Sequence, residues 1–236
     1  MSLAVPLTLE PMEAQPVDEL PAGPSWHYEP KWDGYRCLAF RDGSKVRLTS
    51  RKGKDLGRYF PELIAALAAL NVPRFVIDGE IVIRKESFET LQLRLHPAKS
   101  RIDELARTTP ATIVAFDLLA DDRGRSLLEQ PFADRRRALT SFMAKVGKRR
   151  ELILSRATRS RARALKWLEG VGHGLDGIVA KRCDLAYQPG SRAMQKYKIW
   201  KTVDCVVGGI YRAPGSQAVD SLLLGLYDED GKLHYV

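Results

Sequence analysis

Residues 29–36 read Glu-Pro-Lys-Trp-Asp-Gly-Tyr-Arg, a lysine set between Glu29 and Asp33, beside an aromatic, with Gly34 and Arg36 close behind. Pro30 and the Asp33-Gly34 pair also spell a surface turn, and the octapeptide alone does not choose between turn and site. Similar charged groups end or interrupt apolar segments further on: Asp78-Gly79-Glu80, Phe116-Asp117, Asp176-Gly177, Lys181, and the alternating Lys196 and Lys198. Singly, each has a plain reading: Asp-Gly is a turn, a strand Phe is core, and alternating lysines protect an edge strand. Jointly they suit a nucleotide. Lys196 and Lys198, two apart on a strand, point the same way and can hold phosphate oxygens. Glu80 and Asp176 can hold a ribose hydroxyl or Mg²⁺, a hard cation that takes oxygen ligands. Phe116 can stack on a base. Neither GxxxxGK[ST] nor GxGxxG occurs, so side chains must do most of the holding.

The elements that must position these groups follow from pattern. YRCLAFR (35–41) and KVRLTS (45–50) flank Asp42-Gly43, a hairpin signal. PELIAALAAL (61–70) has helical apolar spacing and a proline in its first turn. RFVID (74–78) and EIVIR (80–84) read as two strands meeting at Asp78-Gly79, and Ser87 as the cap of a helix over FETLQLRL. TIVAFDLLA (112–120) is a buried strand, 131–146 a helix with a basic face, 152–155 a strand and 160–170 a second basic helix. GIVAKR (177–182) and QKYKIWK (195–201) are strands; residues 1–25, with five prolines, form an extended arm; hairpins follow Val203. Strands and helices mix without regular βαβ alternation, which predicts an α+β fold.

Composition narrows the partners. The 236 residues are 44% hydrophobic, enough for a core, and no run approaches the roughly 20 apolar residues of a membrane span. No basic leader with an apolar block opens the chain, and three scattered cysteines and four scattered histidines predict neither disulfides nor a zinc site, so a cytoplasmic protein without membrane contact is expected. A net charge of +9, with basic runs in 123–137, 145–150 and 156–166, predicts a polyanionic partner, nucleic acid first; solvated helix faces are the plainer account of such runs.

The order of these groups resembles the covalent nucleotidyltransferases: ATP-dependent DNA ligases, RNA ligases and capping enzymes. KxDGxR is Lys31 to Arg36, SRxGK is Ser50 to Lys54, then come Asp78-Gly79-Glu80, Phe116, [DE]GxVxK at Asp176 to Lys181, and KxK at Lys196 to Lys198. The wording is most similar to bacterial ligases of the end-joining type. The resemblance implies that Lys31 attacks the α-phosphate of ATP, and that the lysyl-AMP then serves to seal nicked or broken double-stranded DNA, with end-joining proteins as further partners. It implies Glu29 at the adenine edge, Arg51 at the sugar-phosphate, Glu80 at the ribose, Phe116 stacked on adenine, Lys196 and Lys198 on the α-phosphate, and Arg36 near the sugar or the DNA end. Mg²⁺ or Mn²⁺ would be held by Asp176 and Glu80.

The resemblance also implies an adenylation domain over 1–203, built of antiparallel sheets flanked by helices in an ATP-grasp-like manner. Residues 204–236 would begin a five-stranded oligonucleotide-binding (OB) barrel. Two features depart from the ligase pattern: Asp176 stands where ligases have Glu, and 204–236 is short for a barrel, which implies slow self-adenylation. RNA ligation or guanylyl transfer to RNA is the alternative activity; a DNA-end-binding module without catalysis is the non-enzymatic one.

Overall fold

The computed structural model of the chain describes residues 3–170, 174–198, 202–215 and 217–236. Two compact units divide it, Met1–Ile199 and Trp200–Val236. In the first, the order is β1 (Ala14–Pro16), β2 (Trp26–Trp32), β3 (Tyr35–Asp42), β4 (Lys45–Ser50), α1 (Pro61–Ala68), β5 (Arg74–Val82), α2 (Phe88–Gln92), α3 (Lys99–Thr108), β6 (Thr112–Ala120), α4 (Phe132–Val146), β7 (Leu152–Leu154), α5 (Arg161–Leu165), β8 (Leu175–Arg182) and β9 (Met194–Tyr197). The second holds β10 (Val206–Tyr211), β11 (Ser221–Tyr227) and β12 (Leu233–Tyr235).

The fold is α+β, as the element pattern predicts. Five strands form one sheet in the order β4-β3-β5-β6-β7, and four form another in the order β1-β9-β8-β2. Pairing is antiparallel except for β1 with β9 and β6 with β7. β6 is buried at all nine positions, which explains an apolar run that only Asp117 breaks after Thr112. One face of the larger sheet packs Cys37, Ala39, Phe75, Ile77 and Ile113 against Leu63 and Leu67 of α1 and Leu139, Phe142 and Val146 of α4. On the other face, Leu38, Phe40 and Val76 meet Met194 of β9, Tyr187 and Val5 and Met12 of the N-terminal arm. The smaller sheet turns Tyr28, Ile178 and Ala180 toward Ala164 of α5. In α4, Asp134 in the first turn and Lys145 in the last suit the helix dipole, and Gly147 (φ +76°) ends it.

Several expectations change. Asp78-Gly79 is no turn: Arg74–Val82 is one strand, because β3 and β6 pair it on both flanks through Gly79. A Cβ on Gly79 would lie 2.8 Å from the Val114 carbonyl oxygen, so the glycine serves close packing of strands. Asp176-Gly177 is likewise inside β8. The N-terminal arm carries β1 and buries Val5, Met12 and Leu20. The helix after Ser87 stops at Gln92, and the helix expected over 160–170 is α5 followed by a 3-10 turn, Lys166–Gly170. Of the strand expected over 195–201, Met194–Tyr197 is present and 199–201 lie outside the described residues. The second unit is a three-stranded antiparallel sheet in the order β10-β11-β12, with no closed barrel among the described residues. No described helix is long and apolar enough to cross a membrane.

Asp33-Gly34 is the turn expected, but it joins the two sheets rather than closing a hairpin, since β2 pairs with β8 and β3 with β4 and β5. A Cβ on Gly34 would stand 2.1 Å from the Ile81 carbonyl oxygen, a backbone atom that cannot step aside. Gly34→Ala is therefore expected to cost about 1–3 kcal/mol, the usual penalty for overpacking. Urea unfolding checks this; an unchanged midpoint contradicts it.

Candidate active site

On β2, alternation sends Glu29 and Lys31 to one face and Tyr28 to the other. That face opens on a cavity of about 210 Å³ lined by Glu29, Lys31, Arg36, Arg51, Glu80, Phe116 and Lys196, together with Glu13, Trp32, Lys181 and Met194. Seven of the nine residues to which the resemblance gives a role thus share one wall. Asp176 and Lys198 are outside the lining and join through Lys31: the Lys31 Nζ donates to Asp176 Oδ2 at 2.5 Å, and the Lys198 Nζ lies 2.6 Å from the same oxygen.

Two irregularities in the ladders aim these groups. Lys31 pairs with Gly177 and Trp32 with Leu175, which leaves Asp176 as the extra residue of a bulge. Gly177 supports it with φ +137°, a conformation for glycine, and with no room for a Cβ, which would meet the Tyr197 carbonyl at 2.2 Å. In β6, Asp117 pairs with Asp78 and Ala115 with Gly79, so Phe116 is the extra residue. Bulges redirect side chains, and both of these serve the cavity or its lysine.

Charges are paired across the wall. Glu29, 2% exposed, meets Lys181 Nζ at 2.8 Å with one oxygen and Arg136 at 3.2 Å with the other. The Lys181 Nζ stands 4.6 Å from the centre of the Phe116 ring and 4.7 Å from that of Phe132. Arg36 donates to both Asp78 oxygens, at 2.6 and 2.7 Å, and to the Met12 carbonyl at 3.0 Å, with its guanidinium 4.6 Å from the Phe116 ring centre. The Tyr187 hydroxyl donates to Asp78 at 2.7 Å and accepts from the Met12 N–H at 2.9 Å. Arg51, more than half exposed, is 3.6 Å from Glu13.

Ionisation reflects this crowding. Burial pushes the Glu80 carboxyl up to about 7, with Arg36 and Lys31 pulling against it and Asp78 and Asp33 adding to it. Burial and then the Asp176 carboxylate raise Asp33. For Asp176 burial acts upward, but hydrogen bonds from Lys198 and Lys31 outweigh it and hold the carboxyl below its usual range. Burial, then the like charges of Lys31 and Lys198, depress Lys196. Among the described residues, no group of three or more His, Cys, Asp or Glu could cage a metal ion. Glu80 and Asp176 beside Lys31 instead fit the manner of Mg²⁺, which uses one or two carboxylates and fills its remaining positions with phosphate oxygens and water.

His27, on the same strand, has an Nε2 with no hydrogen-bond partner. Burial, then the charges of Arg136, Lys181 and Arg159, lower it to about 4. The unfolded chain takes up this proton near pH 6.5 while the folded chain refuses it until about pH 4. The contribution is therefore whole above pH 6.5 and is lost as pH falls toward 4. Urea midpoints at pH 7.5 and 5 should show a decline that His27→Gln flattens; equal slopes would refute it.

Sequence reasoning missed Arg136, Tyr187 and Glu13 around this wall, and it singled out Lys181 and Asp78 without giving either a role. A signal existed for part of it. The buried stripe of α4 is Phe132, Arg135, Leu139, Phe142 and Val146, and an arginine on an apolar stripe calls for a buried acid. Asp117, within the apolar run of β6, is that acid. The run Arg135–Arg137 is consequently no solvated face: Arg135 is fully buried, Arg136 faces Glu29, and only Arg137 points outward.

The profile of the ATP dependent DNA ligase domain matches residues 11–199, the stretch that carries every group above. DNA ligase C2 of Mycolicibacterium smegmatis is 49% identical over 99% of this chain, which spans 66% of that relative's length. The multifunctional non-homologous end joining protein LigD of Mycobacterium bovis is 36% identical over 85% of this chain and 25% of its own length. Among solved structures, mycobacterial DNA ligase D complexed with ATP and MES superposes with a TM-score of 0.61 at 33% identity, over 97% of this chain and 71% of that one. With its two-sheet architecture and its lysine-centred wall, the chain belongs to the family of ATP-dependent DNA ligase domains.

Proposed function

We propose that this chain is the nucleotide-charging part of an ATP-dependent DNA ligase. The observation that carries the reading is Lys31, on the cavity wall and one alternation along β2 from Glu29, with Asp176 and Lys198 at its amine. The Lys31 nitrogen attacks the α-phosphorus of ATP; the P–N bond forms, the bond to the bridging oxygen of pyrophosphate breaks, and the amine gives up its proton. Glu29 reads the adenine edge, Phe116 stacks on the base, Glu80 holds the ribose, Arg51 the sugar-phosphate, and Lys196 and Lys198 the α-phosphate. Arg36, oriented by Asp78, stands by the sugar. Glu80 and Asp176 would hold Mg²⁺ or Mn²⁺, which would neutralise phosphate charge. Fixed charges and positioning dominate such transfers.

The AMP then passes to the 5′-phosphate of nicked or broken double-stranded DNA, and the adjacent 3′-hydroxyl displaces it. The +9 charge suits the DNA backbone, and the likeness to the end joining protein LigD supports work beside end-joining proteins, on the DNA of a bacterial cytoplasm. Residues 1–203 are assigned to the adenylation domain and 204–236 to the opening strands of an OB barrel. Mass spectrometry of the chain after incubation with ATP and Mg²⁺ tests the reading. A gain matching AMP, mapped to the Lys31 peptide, is expected; AMP bound without a covalent adduct, or an adduct from GTP instead, would overturn it.

A further inference from the structure

Arg136 lies in an arginine run on a surface helix, yet its side chain is 12% exposed, against 79% for Arg137. One nitrogen donates to Glu29 Oε1 at 3.2 Å and another to the Ser155 carbonyl at 2.5 Å. Ser155, itself 1% exposed, also accepts from the Trp32 indole at 3.0 Å, so the guanidinium is tied to the strand next to the nucleophile. Lys181 takes the other Glu29 oxygen and is confined in turn by the Phe116 and Phe132 rings and the Phe116 carbonyl at 3.3 Å. Among the described residues each carboxylate oxygen thus meets one protein cation and has lone-pair capacity left over, and the cavity-lining group can only accept.

That arrangement distinguishes purines at one position. A 6-aminopurine presents an N–H donor there, and a 6-oxopurine presents a carbonyl oxygen, which a carboxylate repels. A Glu29 held from one side alone would swing toward Lys181 or away from it, and a freed ammonium could then serve the 6-oxo oxygen. We propose that Arg136 is a positioning residue which, through Glu29, makes this pocket select 6-aminopurine over 6-oxopurine nucleotides. The inference rests on the reading that Glu29 faces the base.

Equilibrium binding of ATP and ITP, each with Mg²⁺, tests it on the chain and on Arg136→Ala, Arg136→Lys and Glu29→Gln. ITP differs in presenting the 6-oxo edge. The unaltered chain should prefer ATP, and Arg136→Ala should lower the ATP-to-ITP ratio about tenfold or more, because one charge-assisted contact to the reading group is gone. Arg136→Lys, whose ammonium reaches Glu29 or the Ser155 carbonyl but not both, should fall between, and it carries the test should the alanine variant not fold. A merely structural Arg136 would weaken both nucleotides equally; that result, or an unchanged ratio while Glu29→Gln lowers it, overturns the proposal alone. A ratio unmoved by Glu29→Gln, or an unaltered chain that binds neither nucleotide, overturns the base-reading role of Glu29, and this inference with it.

Discussion

The Lys31→Ala chain should still bind ATP and yet acquire AMP at least about 10⁴-fold more slowly than the unaltered chain, the scale on which enzymes lose rate when a nucleophile is removed. Binding should survive because the groups proposed to hold base, ribose and phosphate lie on other strands: Phe116 on β6, Glu80 on β5, Lys196 on β9. Chemistry does not, because the ladder places each amine separately. Lys31 faces Gly177 across β2 and β8, whereas Lys196 is opposite Val179 on the far side of β8. Lys196 and Lys198 therefore make a sharp internal control, as two further amines near Lys31 and Asp176. Rapid-quench labelling with α-labelled ATP, followed by peptide mapping, reads the result. An adduct on Lys196 or Lys198 in the variant, or undiminished labelling, would remove Lys31 from its assigned role.

The largest loss of stability is expected at Asp117→Ala, about 3–5 kcal/mol, a large share of the roughly 5–15 kcal/mol that holds a domain folded. Arg135 is fully buried and donates to the two Asp117 oxygens at 2.9 and 3.0 Å, with further bonds to the Gln130 and Leu185 carbonyls. Without Asp117 the guanidinium keeps its desolvation cost and loses its counter-charge. Burial already pushes the Asp117 carboxyl upward, with Arg135 and Lys181 pulling it back, so the pair balances large opposing terms. Replacing both members with apolar residues, Asp117→Val with Arg135→Met, should thus restore most of the loss. Chemical denaturation of the two variants beside the unaltered chain checks the series; a double variant no better than the single one would mean that the pair is a net stabiliser.

How far the fold and site could be read in advance depended on whether local pattern and tertiary pairing agreed. They agree for β6, whose apolar run, broken at Asp117, matches Thr112–Ala120, and for the hairpin at Asp42-Gly43, where Gly43 has φ +62°. They disagree at Asp78-Gly79 and Asp176-Gly177, where Asp-Gly promised turns and the chain continues as strand, because neighbouring strands supply hydrogen bonds to a backbone that only glycine lets them approach. The residues of the site were legible through their ordered motif spacing. Their supports were not. Arg136 and Lys181 converge on Glu29 from a helix and a strand remote in sequence, and no window along the chain displays that meeting. The distribution of basic residues was legible as charge and opaque as geometry, since Arg135 and Arg136 turn inward.

The two bulges have a meaning beyond this reaction. Across each, the odd-even assignment of strand faces slips by one: Ala115 and Leu118, three positions apart, lie in the same core, with Phe116 released between them. Asp176 is released in the same way from β8. An idealised version of this architecture, with every strand perfectly alternating, would make a more regular pair of sheets and have no assigned place for either side chain. Redesign for stability that straightens β6 or β8 should therefore yield a sturdier protein that has lost the placement of Phe116, its proposed base platform, or the counter-ion of its lysine. The faults in the lattice are where this fold keeps its reactivity.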